Sequence, residues 1–141
     1  MPYHAIVEHF VRSTWRKMDA GDLDAPWRLA ADDLAFSFAG DTPLAGSWVG
    51  RDHLRDWLRS FRARYDELHF SVEEVAVSGW PWRTTVATRF RVTGTWLDGG
   101  AYENEAVQWA TLRWGRMTRD LVLEDTKVLS DAIAAVPSRG A

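Results

Sequence analysis

The chain of 141 residues contains no cysteine. That absence excludes a disulfide framework, thiolate catalysis and thiolate-bound metal. Lysine is nearly missing too. The 17 basic residues are 15 Arg and 2 Lys, set against 20 Asp and Glu, for a formal net charge of -3. A mildly acidic chain is a poor binder of a phosphate backbone, so no nucleic-acid partner is expected. No apolar run approaches the ~20 residues of a membrane span, and the first residues carry no signal-peptide pattern. The expectation is a cytoplasmic protein without a membrane partner. Histidine is scarce, with four in all. His4 and His9 fall on different faces of a helix, and His69 stands beside Glu67 at a strand start. No group of His, Asp and Glu has metal-ligand spacing, and neither a glycine-rich phosphate loop nor a nucleophile elbow appears. Neither a metal nor another cofactor is implied.

What is present suits one domain over residues 1–141, with 137–141 read as a frayed tail. Hydrophobic residues make up 46%, enough for a real core. The nine tryptophans ask for more than a core. Each buries up to ~250 Å² and carries one N–H that wants a partner, so a lined cavity, an interface, or both are expected.

Periodicity places helices first and strands after. Ile6, Val7, Phe10, Val11, Thr14 and Met18 recur at helical steps and predict a helix from His4 to Ala20, ended by Gly21. Asp22 or Asp24 caps a short second helix, with Pro26 in its first turn, that stops near Asp32-Asp33. Leu34 to Ala39 reads as a short strand with Phe36 and Phe38 on one face. After a glycine-rich loop, Leu54, Trp57, Leu58, Phe61 and Tyr65 mark a third helix from about Arg51 to Tyr65. From Leu68 the period is two. Strands follow to Val77 with a bulge at Glu73-Glu74, from Trp82 to Trp96, from Tyr102 to Trp114, and from Met117 to Leu129. Trp15, Trp27, Trp57, Trp82 and Trp96 fall at core-like positions. The order gives an α+β fold. It reads as a cone-shaped roll, three N-terminal helices packed on a strongly curved antiparallel sheet with a short first strand and a four-stranded C-terminal meander. Such a roll leaves a hollow at one end that suits a small apolar molecule.

Short motifs along this frame resemble the nuclear transport factor 2-like superfamily, and within it the SnoaL-like and ketosteroid-isomerase-like proteins. They are Ala20-Gly21-Asp22-Leu23, Ala31-Asp32-Asp33, Gly50-Arg51-Asp52-His53-Leu54, Arg113-Trp114-Gly115-Arg116-Met117 and Glu124-Asp125-Thr126. The resemblance spans nearly the whole chain and implies the cone fold, a pocket and a homodimer paired through the sheet. It implies no single reaction, because this superfold hosts many. The isomerase residues do not carry over. Where those enzymes have an oxyanion-donating tyrosine, a base aspartate and a protonated aspartate, this chain has Thr14, Phe38 and, near the third, Gln108. Phenylalanine abstracts no proton, so isomerisation by that mechanism is not expected. The Arg-x-Asp pair of limonene epoxide hydrolase has no counterpart on the strands. In SnoaL-like cyclases an aspartate on the last strand is the acid/base, and Asp125 matches it; the histidine that partners it there has no placed counterpart.

Alternation in the last hairpin favours the same residue. A two-residue turn at Trp114-Gly115 or Gly115-Arg116 sets Asp125 opposite Asn104 or Ala106. Either register puts Leu121, Leu123 and Asp125 on the face of Asn104, Ala106, Gln108 and Ala110. If that face is concave, Asp125 is a carboxylate in a low-dielectric pocket, and its pKa rises. Asn104 and Gln108 then hold a carbonyl or hydroxyl, Tyr102 adds a hydroxyl near the mouth, and Thr14, Phe38 and Leu123 complete the ligand wall. The structural alternative for Asp125 is a bond to a helix terminus or an arginine. Glu103, Glu105, Val107, Trp109 and Arg113 share the opposite face, a mixed surface of the kind that pairs two copies. Three functions stay open. The first is a cofactor-independent acid/base enzyme (isomerase, cyclase or dehydratase) on a small, largely apolar substrate. The second is a non-catalytic binder, and the third a dimerising scaffold whose hollow its own Trp and Phe fill.

Overall fold

In a computed structural model, residues 2–40 and 42–135 are described. The tail expected at 137–141 lies outside them. The elements run α1 (Pro2–Asp19), α2 (Ala25–Leu29), β1 (Ala30–Phe38), β2 (Gly46–Val49), α3 (Arg51–Arg62), β3 (Tyr65–Trp80), β4 (Arg83–Trp96), β5 (Ala101–Arg113), β6 (Arg116–Glu124) and α4 (Thr126–Ala135). The strands form one curved sheet in the order β2-β1-β6-β5-β4-β3. Every neighbouring pair is antiparallel except β1 and β6, which run parallel. No helix among the described residues is long and apolar enough to cross a membrane.

The helices form where the apolar stripes predict. At the end of α1 the Asp22 N–H donates to Lys17 O at 2.9 Å and Gly21 takes φ 104°, a closure that needs glycine's freedom. Asp19 ties this end to the sheet by accepting from the Phe70 N–H at 3.0 Å and contacting His69 Nδ1 at 3.1 Å. Trp27 links α2 to α3: its indole N–H donates to Asp52 at 2.9 Å, and the Arg55 guanidinium lies 3.7 Å over its ring. Trp57 of α3 wedges against Phe38 and Phe61, with ring centroids 4.7 and 5.1 Å away. The core fills the space between these helices and the inner sheet face, where Leu34, Phe36, Phe38, Val86 and Val92 are fully buried.

Five details differ from the sequence reading. The second helix stops at Leu29, because Ala30 is already extended and pairs with Met117. Tyr65 opens β3 instead of closing α3, and its ring stacks on Trp96 at 4.5 Å. Gly46–Val49, read as loop, adds a four-residue edge strand beside β1. The last strand ends at Glu124, and α4 follows, docked through the fully buried Leu129. Trp82 is exposed, not core.

One further departure decides the site. The final turn is Trp114-Gly115, with φ 52° and 80°, and Arg113 faces Arg116. Both positive φ values suit the tight turn that matches strand twist. Beyond it the ladder slips. Leu112 pairs with Met117 but Thr111 pairs with Arg119, so Thr118 is an extra residue bulged out of β6. Ala106 therefore lies opposite Glu124, a register neither predicted turn produces. A one-residue slip exchanges the two faces of a strand. Asp120, Val122 and Glu124 point inward, whereas Leu121 and Leu123 point outward. The bulge predicted at Glu73-Glu74 is also present, between the Val72 and Glu74 pairings.

Candidate functional site

A cavity of about 480 Å³ opens between α1, α2, α3 and the inner sheet face. That is within the usual range for a small-molecule pocket. Val7, Trp15, Leu54, Trp57, Val86 and Ala110 are among its walls. Polar groups on the wall are few, and Asp120 and Gln108 are the pair that meet.

Asp120 projects from β6 between Phe36 of β1 and Ala110 of β5 and is only 3% exposed. Gln108, two residues along β5 on the same face, donates from Nε2 to Asp120 Oδ1 at 2.9 Å. Among the described residues no cation pairs with Asp120. Burial in the apolar wall pushes its carboxyl from 3.8 up to about 6, against the smaller opposing effect of the Gln108 donor. A carboxyl balanced near neutrality in an apolar cavity can both give and take a proton.

A second polar cluster lies at the other end of β6, off the cavity wall. The Tyr102 hydroxyl donates to Glu124 Oε1, and Asn104 Nδ2 reaches Tyr102 Oη at 2.8 Å, Glu124 Oε1 at 3.0 Å and the Asp125 carbonyl at 2.9 Å. Burial raises the Glu124 carboxyl, while the Tyr102 and Asn104 donors pull it back. Burial and the adjacent Glu124 raise the Tyr102 phenol.

The predicted residues thus divide. Gln108 and Thr14 lie on the cavity wall. The Thr14 hydroxyl, however, donates to Phe10 O at 3.0 Å, within its own helix. Phe38 is buried against Trp57, which takes the wall position. Asn104 and Tyr102 spend their polar atoms on Glu124. Leu123 faces outward, 46% exposed. Asp125 is exposed and caps α4, its Oδ1 accepting from the Lys127 and Val128 N–H groups at 3.1 and 3.2 Å. The structural alternative for Asp125 is therefore the one observed, and the inward carboxylates are Asp120 and Glu124. Their spacing of four was a legible signal that they share a strand face. Hydrophobicity pointed the other way, because Leu121 and Leu123 are the apolar pair.

Comparison with known proteins agrees with this architecture. The SnoaL-like domain family matches residues 7–120. No curated protein matches the sequence. Among solved structures, a SnoaL-like protein of Jannaschia sp. CCS1 superposes with a TM-score of 0.78 at 18% identity, over 96% of either chain. A nuclear transport factor 2-like protein of Burkholderia pseudomallei gives 0.71 at 21% identity, over 90% of this chain and 94% of that one. TerC, co-crystallised with polyporic acid, gives 0.69 at 17% identity, over 89% of this chain and 96% of its own. With the roll, the cavity and the matched span in agreement, the chain belongs to the SnoaL-like domain family of the nuclear transport factor 2-like superfamily.

Proposed function

We propose that this chain is a cofactor-independent acid/base enzyme acting on a small, largely apolar molecule, with Asp120 as the proton-carrying group. One observation carries the reading: a buried carboxyl, unpaired with any cation among the described residues, sits on the wall of an otherwise apolar cavity. Ionised, Asp120 removes a proton from a carbon activated by a neighbouring carbonyl. Protonated, it returns that proton to another carbon or to an oxygen, so the net change is isomerisation, cyclisation or loss of water. Gln108 holds the carboxyl in place through Oδ1. The apolar walls exclude water and select substrates with little polarity. The co-crystallisation of TerC with polyporic acid supports a small organic ligand in this fold.

Native mass spectrometry of the protein as purified identifies a retained ligand, and carboxyl-carbon NMR titrates Asp120. The expected results are a pKa near 6, moved by the ligand, and turnover of the substrate so identified falling about 10²–10⁴-fold in Asp120→Asn. An ordinary carboxylate pKa, or unchanged turnover, overturns the assignment. A non-catalytic binder is the second reading, favoured by how few polar groups line the cavity. It is selected if Asp120→Asn keeps the ligand and no conversion is found in either protein.

The same proposal includes a homodimer through the outer sheet face. Trp109 and Leu123 are 48% and 46% exposed there, and the ladder sets Trp109 beside Leu121 and Val107 beside Leu123. The cytoplasm is kept as its compartment on the sequence reading.

A further inference from the structure

The cavity mouth is built from two hairpin tips on one side and α1 on the other. The β3–β4 tip carries Trp80, Pro81 and Trp82, and the β5–β6 tip carries Trp114. The tips are tied where the Trp114 N–H donates to Pro81 O at 2.6 Å. Trp82 sits between the other indoles, with centroids 6.0 Å from Trp80 and 6.4 Å from Trp114. All three are exposed, at 50%, 54% and 70% for Trp80, Trp82 and Trp114. Across the opening Ile6 and Phe10 are exposed too, and they line the cavity along with Pro81 and Trp114. The apolar rim is thus continuous with the apolar interior.

Three arginines stand behind this rim on the outer sheet face, alternating with the inward Thr84, Leu112 and Met117. Arg113 is paired with Arg116 on the ladder, and Arg83 and Arg113 adjoin the Thr84–Leu112 pair on the next strand. Like charges on neighbouring strands destabilise a sheet. Yet none of these three has a carboxylate partner among the described residues, and Arg116 donates instead to Arg28 O at 3.3 Å. A row of positive charge without carboxylate partners, beside exposed indoles, calls for an anionic, partly apolar partner.

We propose that the cavity mouth docks on an anionic membrane surface. Indoles favour the headgroup level of a bilayer, and each basic residue near an anionic surface adds about 1 kcal/mol of attraction. The bilayer is preferred over an acidic protein because it supplies apolar molecules through the opening, whereas a folded partner seated on the rim would seal it. The missing apolar run in the sequence bears on spanning a membrane, not on docking to one. The docking goes beyond the chemistry at Asp120 and does not depend on it.

The test is co-sedimentation with vesicles. Vesicles of equal parts phosphatidylcholine and phosphatidylglycerol should carry the protein down at low salt, and phosphatidylcholine alone should carry far less. Trp82→Ala with Trp114→Ala should abolish the binding. Arg113→Glu with Arg116→Glu should weaken it by about 25-fold or more, since each arginine is worth about fivefold. Both pairs lie on the surface, so circular dichroism should stay that of the parent. Absence of binding to the mixed vesicles overturns the proposal, as does binding that neither pair changes. Capture of an acidic carrier protein through the same residues, with no vesicle binding, overturns it in favour of a protein partner. Asp120→Asn should bind vesicles normally, so a failed docking and a failed acid/base assignment are told apart.

Discussion

At Asp120 the competing terms are burial and hydrogen bonding, and burial wins. Gln108 supplies one donor, which favours the ionised form, but full desolvation outweighs it and leaves the carboxyl at about 6. Between 3.8 and about 6 the unfolded chain releases a proton that the folded chain keeps, so stability falls as pH rises through that window. Above it the full cost persists, ~3 kcal/mol at 1.36 kcal/mol per unit. Asparagine keeps the shape and still accepts from Gln108 but never ionises. Asp120→Asn should therefore raise stability at neutral pH by up to ~3 kcal/mol, and the gain should vanish below pH ~4. Urea denaturation of both proteins across that range checks it. A variant less stable at pH 7 would mean that Asp120 has a counter-charge in the folded protein. A site that costs stability and carries the proposed chemistry fits the general trade between the two.

At the scale of elements, two bulges compare instructively. The one at Glu73 is visible in the sequence because two adjacent glutamates break an otherwise clean alternation of Phe70, Val72, Val75 and Val77. The one at Thr118 is not, because Met117, Thr118, Arg119, Asp120 and Leu121 alternate acceptably in either phase. Hydrophobicity then sends the strand the wrong way round, and puts Asp125 in the inward place that Asp120 occupies in the fold. The bulged residue can be removed without exchanging faces, since Met117 and Arg119 already pair with consecutive residues of β5. Deleting Thr118 should leave the protein folded with Asp120 still inward and still titrating high, at the loss of the 3.3 Å Thr118–Thr111 hydrogen bond. Carboxyl NMR of the deletion decides. If Asp120 returns to an ordinary value, β6 has turned over and the register reading fails. The same stretch hid α4. Asp125-Thr126-Lys127 continues a plausible strand, and only the cap at Asp125 and the docking of Leu129 show that a helix starts.

For the whole molecule, tryptophan count was a sound guide to a cavity, but not to which residue lines it. Trp57 lines the cavity, Trp82 and Trp114 rim it, and Trp109 stands on the outer sheet face. If that face pairs two copies, equilibrium sedimentation at micromolar concentration should give a dimer, and Trp109→Asp should give a monomer with the cavity intact. A parent protein that sediments as a monomer removes the dimer from the proposal. Arg113 shares the outer sheet face with Trp109, so it is the Trp82 and Trp114 pair of the vesicle experiment that tests the cavity mouth separately from the dimer face.

The sequence alone determined the first and third helices, the shared face of Phe36 and Phe38 and a final turn at Gly115 with either Trp114 or Arg116, because each rests on local periodicity or turn chemistry, while its short motifs carried the family resemblance. It also put Gln108 and Thr14 on the cavity wall. The tertiary structure decided which carboxylate enters the cavity, that Tyr102 and Asn104 serve Glu124, and that the exposed indoles of two hairpin tips come together. These depend on register and on strands far apart in sequence, where one extra residue moves every later side chain to the other face.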